Sequence, residues 1–183
     1  MQAGIQRFRE KWEKRHPGLD TSSMDIVGPL KRANALLELA LEPLFDGAPV
    51  TPSELDTMLK LRHVEQPMIS RQLATTIGRS GAAVSKTLAK LERRGLIART
   101  PNPADRRAAF VELTEDGIAV VDAMFPRQLG VEAKLVRVDA ERRARIIDGL
   151  AALVETLEDV HRAAPTREAL LATLLSEGEA ERA

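Results

Sequence analysis

Apolar residues recur every three or four positions along most of this chain, and the rhythm breaks where Pro, Gly and cap-type residues stand. Ile5, Phe8 and Trp12 share one face of a helix predicted over 3–16, which His16-Pro17-Gly18 ends. Asp20, Thr21 and Ser22 are cap-type residues ahead of a long helix over 23–46, striped with Ile26, Val27, Leu30, Ala33, Leu37, Leu41 and Leu44. Pro29 falls in its first turns, where a missing N–H costs least. Asp46-Gly47-Ala48-Pro49 is a turn, and Thr51-Pro52-Ser53-Glu54 has the form of a capping box. The helix behind it carries Leu55, Met58, Leu59 and Leu61 and is expected to end near Gln66-Pro67. Ser70 is expected to cap a short helix with Leu73, Ala74 and Ile77, closed at Gly78. Ser80 is expected to cap a longer one that buries Val84, Leu88 and Leu91 and stops at Gly95.

The period then changes to two. Leu96–Thr100 reads as a strand, Pro101–Arg106 as a loop of turn formers, and Ala109, Val111 and Leu113 alternate with Phe110 and Glu112 in a half-buried return strand. Thr114 caps a helix predicted to about Gln128. Asp139 caps another, with Ile146, Leu150, Leu153, Leu157 and Val160 on one stripe. Pro165-Thr166 starts a last short helix with Leu170, Leu171, Leu174 and Leu175, and the tail GEAERA is expected to fray. The resulting fold class is mainly α with a small β-hairpin wing: a winged helix-turn-helix flanked by N- and C-terminal dimerisation helices. Three parts follow: 1–50, N-terminal helices for dimerisation and a ligand pocket; 51–114, the winged helix-turn-helix; and 115–183, C-terminal dimerisation helices. The terminal helices carry more apolar surface than one small winged helix covers, which a second copy of the chain would bury; folding back on their own domain is the plainer alternative.

Charge gives the helix-turn-helix a function. The chain has no net charge, yet Arg71–Arg107 holds nine basic residues against only Glu92 and Asp105, a net +7 that the rest must balance with −7. A basic block on this element order points to double-stranded DNA. The absence of Cys removes disulfides and thiolate metal sites, and three scattered His give no ligand spacing, so neither metal nor cofactor is expected. No nucleophile elbow, phosphate loop or carboxylate pair suggests an enzyme. The N-terminus lacks an apolar leader and no run approaches a membrane span, so a soluble, cytoplasmic protein is expected, with no membrane partner.

Asp105-Arg106-Arg107-Ala108-Ala109-Phe110-Val111-Glu112-Leu113-Thr114-Glu115-Asp116-Gly117 resembles the D-x-R-x-x-x-V-x-L-T-x-x-G wing signature of MarR-family transcriptional regulators. Leu88-Ala89-Lys90-Leu91-Glu92-Arg93-Arg94-Gly95-Leu96-Ile97 is similar to that family's L-x-x-L-E-x-x-G-L-[IV] pattern, and Ser70–Ile77 resembles its scaffold helix. The resemblance spans about residues 20–160. It implies a homodimeric bacterial regulator, commonly a repressor, that binds a pseudo-palindromic operator and answers to a small ligand. Trp12 with Pro17–Ser22, and Thr51–Asp56, resemble a branch with an extra N-terminal helix whose members respond to urate or aconitate-like acids. That branch places Trp and Asp at the positions of Trp12 and Asp56, but its Asn-Arg on the recognition helix corresponds here to Lys86-Thr87, a departure.

The recognition helix would run from about Ser80 to Arg94. Ser80 and Ser85 could bond base edges or phosphates, Ala82 or Ala83 could touch a thymine methyl, and Lys86 and Lys90 could reach bases or backbone. A solvated basic face is the bland alternative. Arg106 and Arg107 at the wing tip suit a narrow minor groove, with Asp105 orienting a neighbouring guanidinium; a turn-forming Asp and two surface arginines are the plainer reading. Arg71, Arg79, Arg93, Arg94 and Arg99 read as phosphate contacts or structural pairs. Trp12, Arg32, Asp56, Arg62 and His63 are candidates for a pocket that takes a small organic or aromatic acid effector. Plain packing of Trp12 and a helix-dipole role for Asp56 stand as alternatives. The functional alternative is a winged helix used for protein contacts or for non-specific DNA architecture.

Overall fold

The computed structural model describes residues 2–105, 108–164, 166 and 168–172, without the side chains of residues 2 and 3. It falls into two compact units, 1–135 and 136–183. The first runs α1 (Gln2–Arg15), α2 (Met24–Phe45), α3 (Pro52–Arg62), β1 (Met68–Ile69), α4 (Ser70–Ile77), α5 (Gly81–Arg93), β2 (Ile97–Pro101), β3 (Ala109–Leu113) and α6 (Glu115–Leu135).

Local chemistry sets the helix ends. The capping box at α3 is complete: Thr51 Oγ1 accepts the Glu54 N–H at 3.3 Å, and Glu54 Oε2 accepts the Thr51 N–H at 2.9 Å. The helix ends at Arg62 with His63 at its C-terminal cap, so 64–67 is loop rather than the last turn expected from the sequence. Ser70 is the first residue of α4 and not its cap; Ile69 holds the cap position, and Gln72 Oε1 accepts its N–H at 3.0 Å. Gly78 at φ 70° closes α4, a left-handed conformation that costs glycine little. Ser80 Oγ accepts the Ala83 N–H at 3.3 Å to open α5, and Gly95 at φ 71° turns the chain out of it.

The wing is larger than a hairpin. β2 pairs with β3 antiparallel from Ile97↔Leu113 to Pro101↔Ala109, and β1 adds on the other edge through Met68↔Val111 and Ile69↔Phe110. The sheet order is β1-β3-β2, which makes β3 central. Thr114 then does two jobs. Its hydroxyl donates to Gly95 O at 2.6 Å and accepts the Gly117 N–H at 3.1 Å, starting α6 against the base of the wing. That helix runs past the expected stop at Gln128 to Leu135, carried on by a Gln128–Glu132 hydrogen bond of 2.7 Å at i, i+4 spacing.

The core lies between α3, α4, α5, the sheet and α6. Leu55, Met58, Leu73, Leu88, Leu91 and Val111 are all at 0% exposure, and full burial of side chains this size contributes about 1.5–3 kcal/mol each. Arg62 on α3 forks onto Asp122 of α6 with two bonds of 3.0 Å. α1 is fastened to the head of α2 by a cluster on buried Thr21: Arg9 Nε donates to Thr21 Oγ1, Thr21 donates to Glu13, and Arg9 Nη1 pairs with Asp25. Pro29 sits in the second turn of α2, later than the first-turn position that spares an N–H bond, and Pro43 lies near the far end. None of the residues of α2 is buried, and Ile26, Val27, Leu36 and Leu39 are exposed.

In the second unit, Asp139 Oδ1 accepts the Arg142 N–H at 2.7 Å and opens α7 (Ala140–Ala163). Ile146, Leu150, Val154 and Leu157 are exposed on it at helical spacing. Residues 168–172 are helical, with the Ala169 N–H donating to Thr166 Oγ1 at 3.1 Å. Leu174, Leu175 and the tail expected to fray lie outside the described residues.

Candidate nucleic-acid interface

Helix α5 is fixed in roll by its inner stripe. Val84, Leu88 and Leu91 are buried to within 1%, so Gly81, Ala82, Ala83, Ser85, Lys86 and Lys90 are exposed on the remaining arc. The first turn of that arc is nearly bare backbone, which lets a helix approach another surface closely. Its later turns carry two ammonium groups. Ser80 Oγ already accepts the cap bond, which leaves its proton and one lone pair for an outside partner.

The nine basic residues of the span now separate. Arg79 donates to Ser53 Oγ, Arg93 to Ala89 O at 3.2 Å, Arg99 pairs with Glu92 at 3.0 Å, and Arg94 pairs with Glu54 at 3.0 Å. Arg71, Lys86 and Lys90 are exposed and make no ion pair among the described residues. Arg71 lies at the start of α4, beside Arg99 and Thr100 of the wing base in one shallow groove. Arg106 and Arg107 lie outside the described residues. Asp105 is exposed in the wing turn, where its N–H donates to Asn102 O and its carbonyl accepts the Ala108 N–H at 3.0 Å.

Glu54 is the buried acid of this region. Desolvation pushes its carboxyl up, but the Thr51 amide and the Arg94 guanidinium outweigh it and hold the group below the ordinary glutamate value of 4.5. A carboxyl lowered in the folded state stabilises the fold above its unfolded value, and that stability is lost as pH falls through the folded value. The urea midpoint of the protein should therefore fall on acidification below about pH 4.5, and Glu54→Gln should flatten that fall. An equal slope in the variant would show that Glu54 does not contribute.

The five effector candidates are spread out. The Trp12 ring stacks on His16, just past the end of α1, at 5.3 Å between centroids and meets Phe8 of the same helix edge-on at 6.3 Å. Arg32 is exposed on α2, and His63 is exposed at the end of α3. Arg62 is committed to Asp122, whose carboxyl is lowered by that bond. The protein packed around Asp56 raises its carboxyl above the ordinary value; Arg79 and Lys60 oppose this and Glu132 adds to it. A cleft of about 710 Å³ opens beside the C-terminal half of α2, lined by Leu39, Phe45, Val50, Glu54 and Arg94 among others, and none of the five candidates lines it. Sequence reasoning missed this cleft, the strand β1 and the second partner of Glu54. The first turn of α3 signalled a cap and nothing more.

Comparison with known proteins agrees with this geometry. The model of the MarR family matches residues 50–109, from the approach to α3 into the wing. The HTH-type transcriptional repressor NicR of Pseudomonas putida is 30% identical over 112 residues, covering 60% of this chain and 70% of NicR. The chain belongs to the MarR family. The HTH-type transcriptional regulator PecS of Dickeya dadantii is 24% identical over 148 residues, 80% of this chain and 89% of PecS. Among solved structures, the S. aureus MepR–DNA complex superposes with a TM-score of 0.67 at 22% identity, covering 72% of this chain and 97% of MepR. Bordetella bronchiseptica BpsR, described for regulation of its DNA binding by 6-hydroxynicotinic acid, gives 0.65 at 22% identity, covering 75% and 98%. These two likenesses are of fold, and they place this MarR-family chain among winged-helix structures. Among its described residues no helix is long and apolar enough to cross a membrane, and no group of three His, Asp or Glu could hold a metal ion.

Proposed function

We propose that this MarR-family chain is a ligand-responsive repressor that binds a pseudo-palindromic operator as a homodimer in the cytoplasm. The observation that carries the reading is α5: a fully buried inner stripe, a bare first turn and two exposed lysines on the outward arc. Lys86 and Lys90 reach bases or backbone, Ser85, Ala82 and Ala83 meet base edges, Ser80 offers its remaining proton, and Arg71 takes a phosphate. Arg106 and Arg107 of the wing enter the minor groove, with Asp105 orienting them. The exposed apolar stripes of α2 and α7 support a second copy, which would divide the chain into 1–50 and 115–183 for dimerisation and 51–114 for DNA. A small organic or aromatic acid is the effector class, in line with the BpsR description. Trp12, Arg32, Asp56, Arg62 and His63 are its proposed contacts, with Arg62 leaving Asp122 to join them.

Selection of duplexes from a random pool by purified protein tests this reading, repeated with aromatic and organic acids. The expected product is a palindrome bound by two chains, with half-sites about 34 Å apart and a linear fall of log affinity with log salt. A complex with roughly six phosphate contacts loses about a thousandfold between 50 and 200 mM salt. Enrichment without sequence preference would favour the architectural alternative instead.

A further inference from the structure

The two ends of α5 are held differently. At the N-terminus the Gly78 turn and the Ser80 cap are local, and Arg79 between them makes a single bond to Ser53 Oγ of α3. At the C-terminus Arg94 reaches out of the helix to two other segments. Its Nη2 lies 3.0 Å from Glu54 Oε2 at the head of α3, its Nη1 donates to Pro49 O at 2.9 Å, and its Nε donates to Lys90 O at 3.3 Å. Pro49 belongs to the turn that leads out of α2. The Glu54 side chain is only 7% exposed and also accepts the Thr51 amide, so the acceptor is itself fixed.

We propose that the Glu54–Arg94 pair is a positioning device that sets the angle of the recognition helix, and so the base discrimination of the chain. This rests on the reading of α5 as that helix. The inner stripe fixes how α5 rolls and how deep it sits, and resistance to tilting about that stripe is added at its ends, by one bond from Arg79 and by the three-bonded fork of Arg94. The Arg94 anchor, off the axis and tied to two segments, is the stronger of these restraints. The lever is long enough to matter: α5 spans about 20 Å at 1.5 Å per residue, so a tilt of roughly 6° about its C-terminus moves the first turn by about 2 Å. Base-edge contacts at the first turn, which need hydrogen-bond distances near 3 Å, do not survive a displacement of that size. By sequence Arg94 continues the Lys86–Lys90 row at i, i+4 spacing and passes for a third phosphate contact; the structure turns its fork to protein instead.

Two variants separate these roles. Glu54→Gln keeps an acceptor for the Thr51 amide, since a capping box accepts Gln, but removes the charge. Arg94→Lys keeps the charge but loses the planar fork that holds Glu54 and Pro49 O together. The probes are the duplex that the unmodified full-length protein enriches from a random pool and a scrambled duplex of the same length and composition. Both variants should keep their affinity for the scrambled duplex within about twofold and lose about tenfold of the preference for the enriched one, in the range of measured coupling through packed networks. The double variant should lose no more than either single one, as expected for one shared device. Unchanged or tighter binding of the enriched duplex by Glu54→Gln, with Arg94→Lys weakened equally on both duplexes at an unchanged salt slope, would assign Arg94 to a phosphate and overturn the proposal. Loss of folding in both variants, seen as a collapse of the melting temperature, would make the pair a scaffold contact only and also overturn it. Failure of the unmodified protein to prefer any duplex would remove the recognition-helix reading and this inference together, whereas preference retained in both variants would remove this inference alone.

Discussion

Gly117→Ala should lower the melting temperature by about 4–10 °C, the shift that roughly 2–3 kcal/mol produces in a chain of this length. Two effects of opposite sign compete. Alanine gains about 1 kcal/mol over glycine in helix propensity, and Gly117 stands in the first turn of α6. Against that, a Cβ at this position would lie 2.0 Å from Leu96 O and 3.0 Å from Leu96 C, with Leu113 Cδ2 at 3.3 Å. Backbone cannot swing aside like a side-chain tip. Overpacking a core costs about 1–3 kcal/mol and sometimes more, and this contact is at the severe end. To relieve it, α6 must lift from the base of the wing, straining the Thr114 N–H bond to the same Leu96 carbonyl at 3.2 Å. The clash therefore wins. Differential scanning calorimetry decides it, and an unchanged or raised melting temperature would show that the helix start relaxes freely. The final glycine of the signature Val111-Glu112-Leu113-Thr114-Glu115-Asp116-Gly117 thus has a steric reason: it lets a helix begin in contact with a strand.

Joint replacement of Lys86 and Lys90 by alanine should leave the fold intact and remove nearly two orders of magnitude of DNA affinity. Both side chains are exposed and make no ion pair among the described residues, so their loss falls in the class of surface changes worth less than about 0.5 kcal/mol of stability. Each phosphate contact contributes about 0.9 to the salt slope, so one lost contact costs on the order of tenfold near 0.1 M salt. The salt slope should fall by about one for each lysine. Comparison of the enriched and scrambled duplexes then sorts them. A lysine on the backbone weakens both equally, and a lysine on a base edge weakens mainly the first. Unaltered binding by the double variant would move the interface off α5. The neighbouring Arg99→Ala should matter less, because that guanidinium is spent on Glu92.

Much of this fold is written in short-range chemistry. Thr51, Ser80, Thr114 and Asp139 start helices through bonds to residues three positions on, and Gly78 and Gly95 stop them with a backbone conformation of their own. Such features are legible because both partners sit in one short window of sequence. β1 was not, because two residues carry no period; Met68 and Ile69 are a strand only because Val111 and Phe110 arrive beside them. The end of α6 was not legible either: the helix expected to stop near Gln128 runs on to Leu135, with a Gln128–Glu132 bond across the expected stop.

The candidate site divides along the same line. The outward arc of α5 follows from a helical period and a buried stripe, so Ala82, Ala83, Ser85, Lys86 and Lys90 could be read directly. Which arginines are occupied could not. Glu54 with Arg94 and Arg62 with Asp122 join residues far apart in sequence, and no local pattern announces such a pair. The effector candidates rest on residue type and resemblance alone, while Trp12 packs against Phe8 and His16 and Arg62 is held by Asp122.

The sheet order has a further consequence. Because Met68 pairs with Val111, the chain enters and leaves the segment 68–111 at adjacent points on β1 and β3. Everything between, both helices and the wing, is a closed excursion with its doorway sealed by two strand pairs. With entrance and exit side by side, a change in the length of the wing loop need not shift α3 or α6, whereas a change at Arg79 or Arg94 is felt in α3 through Ser53 and Glu54.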